Sequence, residues 1–341
     1  MSAFDLPWLV ADIGGTNARF GLVTSLGAGP SHVAVLAGAD HPTLPDAVTA
    51  YLAQHAGGVR PGAACLALAG PIEGEHYRLT NSAWAGSVRD LGIPYVRLLN
   101  DFEALAVSLP HLEGGDLVSL GGPPPGDGVK AVLGPGTGLG VGALAPSEHG
   151  WIPVPGEGGH VTVPVVEPRE FEVVRALRSQ GVPHVVAEHL LSGPGLVRLH
   201  RALALVNGVT APGLTAADIV ARVDDSLCAE TIEMFCALLG GFAGNVALTL
   251  GARGGVYLAG GRAAPYRGAR VRQRLPRAVR GQPRHGRLPG RHRDVAHRGR
   301  PAGHDRRGRL AESAGPPGAG GLTTTSASAR HRHGIGMVPA H

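Results

Sequence analysis

Twice within its first 145 residues the chain runs an apolar strand into a glycine turn and straight out into a second apolar strand. The first instance is WLVADIGG at 8–15, resumed two residues later by ARFGLV at 18–23; the second is VKAVLGPGTGLGVGAL at 129–144. Two strands joined across so short a glycine turn read as a hairpin. The match at equivalent places, DIGGTN against GPGTGLG, predicts two related halves that each present a glycine turn to a shared cleft.

The intervening pattern is α/β. HVAVLAG at 32–38 predicts a third strand, and Leu44, Val48 and Leu52 mark a helix capped by Thr43 and stopped at Gly57–Gly58. Further strands are expected at ACLALAG (64–70) and VRLLN (96–100). Downstream the periodicity is helical, with Phe171, Val174 and Leu177 in one stretch and Leu196, Leu199 and Leu203 in another, after a break at Gly193–Gly195. Thr215 caps a third expected helix through Val223, and VYLAGG at 256–261 is the last expected strand. The uncharged run Met234 to Ala252 reaches membrane-spanning length but holds four glycines and Asn245. That composition predicts a buried helix entering a turn.

Charge divides the chain at Gly261. Residues 1–261 hold 13 Lys and Arg against 23 Asp and Glu, a net −10, whereas residues 262–341 hold 18 Arg, no Lys and 3 acids, a net +15. That segment has only 11 large apolar residues and cannot build a core of its own. The N-terminus has no basic region typical of a signal peptide. Cys65, Cys228 and Cys236 form neither a metal-type pair nor a disulfide framework, so a reducing cytoplasm and no zinc are expected.

Chemistry concentrates in a few short runs. Gly14 and Gly15 lack side chains, so backbone N–H groups can approach a polyphosphate, with the Thr16 hydroxyl beside them and Asp12 placed to hold Mg²⁺ through water. An ordinary tight hairpin accounts for the same residues. Gly134–Gly140 is the second such turn, lacking the Lys-Ser/Thr of a Walker loop and the helix behind a dinucleotide fingerprint. Asn100 and Asp101 emerge at the carboxyl end of a strand, where α/β ligands bind; Asp101 also suits a helix N-cap.

DIGGTNAR, LLNDFEALA, GPGTGLG, PGEGGH, LSGPGL and VYLAGG, in this order, resemble the bacterial glucokinase family of the hexokinase and actin-like ATPase superfamily over residues 8–261. The resemblance implies a two-domain α/β actin-like ATPase (ribonuclease H-like) fold with a cleft between domains, here 1–109 and 110–261. It implies phosphoryl transfer from ATP, with Mg²⁺, to the 6-hydroxyl of glucose. Asp101 then matches the general base, and Asn100, Asp101, Glu157, His160 and Glu188 the sugar ligands. Nucleotide contacts fall on Ala11, Asp12, Ile13, Gly14, Gly15, Thr16, Gly136, Thr137, Gly138, Gly260 and Gly261. The sister repressor/open-reading-frame/kinase family carries a cysteine-rich zinc motif, and no Cys lies between Cys65 and Cys228. No membrane partner is expected; a homodimer is compatible with the resemblance.

Where that family continues into helices, this chain turns to Arg, Gly, Pro, Ala and His. Residues 262–341 are expected to be extended, with few contacts. Two origins compete: a disordered basic extension that binds nucleic acid, or a reading-frame shift near codon 262 of a GC-rich gene. The absence of Lys beside abundant Arg favours the shift. A sugar-binding protein without turnover is the alternative to an active kinase.

Overall fold

The structure, a computed structural model, describes residues 5–112, 116–120, 124–260 and 334–338. The first half opens with β1 (Trp8–Ile13), β2 (Asn17–Val23) and β3 (Ser31–Ala37), then α1 (Leu44–His55) and β4 (Ala63–Leu68). Three short strands follow, β5 (Ile72–Glu73), β6 (His76–Arg78) and β7 (Ala85–Ser87), before β8 (Tyr95–Asn100) and α2 (Asp101–Ser108). The second half comprises β9 (Leu117–Ser119), β10 (Lys130–Pro135), β11 (Leu139–Ser147) and β12 (Gly150–Gly156). Four helices then run in sequence, α3 (Pro168–Ser179), α4 (Gly193–Val206), α5 (Ala216–Ala221) and α6 (Ser226–Leu250), followed by β13 (Val256–Gly260) and β14 (Gly334–Val338).

The two main sheets share a topology. The first runs β3-β2-β1-β4-β8 and the second β12-β11-β10-β13-β14-β9, while β5-β6-β7 form a small third sheet. In each main sheet the central strand, β1 or β10, pairs antiparallel with the strand after it and parallel with a later one. The strand order 3-2-1-4 of the first half therefore recurs in the second, each glycine turn joining the first two strands of its unit.

Each sheet has its own core. Leu9, Ile13, Phe20 and Leu66 pack with Leu44, Val48 and Tyr51 of α1, whose first turn is fixed by Asp46 N–H donating to Thr43 Oγ1. Leu133, Leu258 and Val256 pack against α3, α4 and α6 in the larger core. Helix α6 is long and apolar enough to cross a membrane by length and composition; here Phe235, Leu239 and Phe242 lie in that core. It ends at Gly251 in the left-handed region (φ 57°), the turn expected from the sequence. In α3 Leu177 is buried and Val174 packs half-buried against the core, as expected, whereas Phe171 is 53% exposed and Glu170 and Val173 are buried instead.

Helix α2, on the N-terminal side of the boundary expected at 109/110, packs on the second sheet. Its Ala106, and Leu109 just after it, join Val132, Leu144, Tyr257 and Ala259. The chain thus leaves the first sheet at Asn100 and docks on the second within one helical turn.

The expectation that no strand follows Gly261 is corrected by β14, which lies between β13 (antiparallel) and β9 (parallel). Its sequence, Gly-Ile-Gly-Met-Val, is an uncharged apolar interval in an arginine-rich segment, suited to a place between two strands. The remaining expectations for 262–341 lie outside the described residues.

Candidate active site

A cleft of about 2150 Å³ lies between the two main sheets and is lined by both glycine turns. Ala11, Asp12, Gly14, Gly15 and Thr16 line it from the first half, and Gly136, Thr137 and Gly138 from the second. Asn100, Asp101, Glu157, His160 and Glu188 line the same cleft. Ile13 differs: its side chain is fully buried in the first core, and its carbonyl accepts from Ala69 N–H at 3.0 Å. Gly260 ends β13 beside Gly334 of β14, and Gly261 lies outside the described residues.

The first turn closes through Gly14 N–H donating to Asn17 O at 3.0 Å. Gly15 is required by packing, because a Cβ there would stand 2.6 Å from Asn81 Cβ. The hairpin register opposes Asp12 to Arg19. Arg19 lines the cleft, and its Nε is buried without a hydrogen-bond partner among the described residues. An unpaired buried guanidinium nitrogen is costly, which suits an anionic ligand beside Asp12. The motif reading passed over Arg19, although counting outward from the turn puts 12 and 19 opposite each other.

Asn100, not Asp101, is the N-cap of α2. Its Oδ1 accepts from Glu103 N–H at 2.6 Å, and Asn100 N–H donates to Glu103 Oε2 at 2.8 Å, a reciprocal box. This leaves the Asn100 side-chain NH₂ and the Asp101 carboxylate to the cleft, Asp101 Oδ1 accepting from its neighbour Phe102 N–H at 3.0 Å. Asp101 is open to cleft water yet ringed by protein. Burial raises its pKa above the ordinary aspartate value; the Phe102 amide opposes that shift, and the negative charges of Asp12 and Glu157 add to it. Behind it the Phe102 ring fills the space left by Gly140, where a Cβ would overlap the ring.

Glu157 follows the last residue of β12 and leads into a single helical turn at Gly158–His160. Glu157 Oε2 lies 3.7 Å from His160 Nε2, and both side chains are mostly exposed to the cleft. Glu188 precedes α4 and reaches the second glycine turn, where its Oε2 accepts from Leu139 N–H at 2.8 Å. Carboxylates, an amide and an imidazole here face two glycine turns across one concavity. That combination suits a polyol on one side and a polyphosphate on the other.

A family model described as glucokinase matches residues 9–269. A glucokinase of Saccharophagus degradans is 46% identical over 269 residues, spanning 76% of this chain and 83% of that protein. A glucokinase of Aromatoleum aromaticum is 44% identical over 263 residues, spanning 75% and 79%. The crystal structure of a glucokinase from an Antarctic psychrotroph superposes with a TM-score of 0.71 at 36% identity, covering 81% of this chain and 88% of that one. The fold shared with that structure is the actin-like ATPase fold expected from the motifs.

Proposed function

Because the chain belongs to the glucokinase family, we propose that it transfers the γ-phosphoryl group of ATP to the 6-hydroxyl of glucose, giving glucose 6-phosphate. The observation that carries the reading is Asp101, a carboxylate of raised basicity lying in one cleft with both glycine turns. In this reading Asp101 accepts the O6 proton as O6 attacks the γ-phosphorus and ADP departs. A base with its pKa raised from the aspartate range accepts that proton at smaller free-energy cost. Asn100, with Oδ1 occupied by Glu103 N–H, offers its NH₂ to a sugar oxygen. Glu157 and Glu188 accept from sugar hydroxyls, and His160 steadies Glu157. The turns at 14–16 and 136–138 face the phosphates, with Arg19 as a cation beside them.

The residues also fit Mg²⁺. Among the described residues no group of three or more ligating side chains exists, and magnesium favours one carboxylate plus water and substrate phosphates over an all-protein cage. Asp12 would hold it through water, and a bound ion would neutralise phosphate charge. The three cysteines are buried and form no disulfide, and burial pushes the Cys65 thiol up to about 11. Inert thiols support a reducing, cytoplasmic setting.

Glu157→Gln serves as a test with two readouts. Glucose binding is expected to weaken before nucleotide binding, measured by calorimetric titration. Activity requires ionised Asp101, so turnover is present above its pKa and lost below it. Removing the Glu157 charge, which raises that pKa, should move the acidic limb of kcat at saturating glucose to lower pH. A limb that stays in place or moves up would count against Asp101 as the base.

A second reading, sugar binding without turnover, is favoured by one observation: the family match ends at 269, close to the composition break at 262. About a fifth of each of these relatives lies outside its alignment with this chain. We propose a frame shift near codon 262 as the origin of this break. Nucleotide sequence across that codon should show the family's continuation in another frame, and restoring it should raise glucose-dependent ATP consumption and solubility. Full activity of the 341-residue chain would refute the proposal.

A further inference from the structure

The sugar-side segments grip the second glycine turn at one residue, Leu139. Its N–H donates to Glu188 Oε2 at 2.8 Å. Its carbonyl is backed by Gly159, where a Cβ would overlap the oxygen, so the 157–160 turn lies directly against the same residue. The far end of the turn is held too, because Gly193 N–H donates to Gly136 O at 2.8 Å. Glu188 is itself fixed by α4. Ser192 Oγ donates to the Glu188 carbonyl at 2.9 Å and accepts from Gly195 N–H at 2.9 Å.

The fit admits nothing between carboxylate and turn, since a Cβ on Gly138 would overlap Glu188 Oε2. Among the described residues Glu188 Oε1 has no hydrogen-bond partner, and the residue lines the cleft. One carboxylate thus has an oxygen on the phosphate-facing turn and an oxygen left for a ligand.

We infer that Glu188 is a positioning residue for the phosphate-facing turn as well as a sugar ligand, so that sugar occupancy and nucleotide affinity are coupled through its two oxygens. This rests on the kinase reading above. A sugar hydroxyl donating to Oε1 immobilises the carboxylate, and Oε2 then holds Leu139 N–H, hence the turn 136–139, in its phosphate-binding shape. Coupling of this kind is reciprocal.

The test is calorimetric titration of the full chain with glucose and with the magnesium complex of a non-hydrolysable ATP analogue, each alone and with the other saturating. In the wild type, glucose should tighten analogue binding by about 5–150-fold, and the analogue should tighten glucose by the same factor. Glu188→Ala should bring that factor to about one. It should also weaken the analogue about tenfold without sugar, because the Leu139 N–H loses its acceptor. Glu188→Gln keeps an oxygen for that N–H, so sugar-free analogue affinity should stay within about twofold of wild type while glucose affinity falls. Gly138→Ala leaves the carboxylate in the chain but displaces it, and should uncouple the ligands as Glu188→Ala does. Wild-type coupling in folded Glu188→Ala, or in Gly138→Ala should Glu188→Ala not fold, would overturn the inference and leave the kinase reading standing. A wild-type chain that binds neither ligand would overturn both.

Discussion

Replacing Asp101 by Asn is expected to lower kcat by about 10²–10⁴-fold while leaving glucose binding largely intact. The amide has the shape of the carboxylate and can still accept a hydrogen bond from Phe102 N–H, so α2 should keep its first turn. It cannot take the O6 proton. Removing one of three neighbouring negative charges should not harm the fold, since the Asp101 carboxylate is held against burial and against Asp12 and Glu157. The measurement is steady-state kinetics with calorimetric glucose binding, in a form of the chain shown to turn over. Near-normal kcat in a folded Asp101→Asn protein would remove Asp101 from the role of base.

Gly140→Ala is expected to damage both stability and turnover. The Phe102 ring occupies the volume that the new methyl would need, and a Cβ at Gly142 would stand only 3.0 Å from the Phe102 carbonyl oxygen. Overpacking of this kind costs about 1–3 kcal/mol, or roughly 2–4 °C in Tm per kcal/mol for a domain of this size. The larger effect is on chemistry. Phe102 adjoins Asp101, and moving the first turn of α2 by about 1 Å can cost about 10²-fold in rate. Adding Phe102→Ala should recover part of the lost stability, because the ring that clashes is gone, so the two substitutions should not be additive. Gly140→Ala with unchanged kcat and Tm would show that the notch does not set the position of α2.

What the sequence disclosed follows a physical division. The hairpins at both glycine turns, the Thr43 and Thr215 caps and the Leu196–Leu199–Leu203 stripe depend on neighbours within a few residues, and the structure has them. Strand β12 escaped notice because Pro153 and Pro155 interrupt any strand pattern, though it is the element that delivers Glu157. Strands β5 to β7 are two or three residues each and too short for a period to register. The cleft residues were legible because each sits inside a contiguous run such as DIGGTN or PGEGGH. Glu103 and Phe102 were quoted within LLNDFEALA but given no task. Glu103 completes a capping box with Asn100, a signature three residues long that local spacing does carry, whereas Phe102 fills the Gly140 notch through a contact that no local pattern encodes. Strand β14 was invisible for the same reason, as its partners lie more than 70 residues away in sequence.

The recurrence of one strand order in both sheets bears on what each part of the cleft can recognise. Two units of one strand order face each other, and their matching glycine turns suit a ligand that is itself a repeat, a chain of like phosphates. A hexose has no such internal repetition. In the proposed kinase reading its recognition falls to what the two units do not share: the β8–α2 junction in one, and the 157–160 and 188–193 segments in the other. In that reading, the difference between the two units is where a change of sugar would be written, whereas a change in the turns would act on nucleotide binding whatever the sugar.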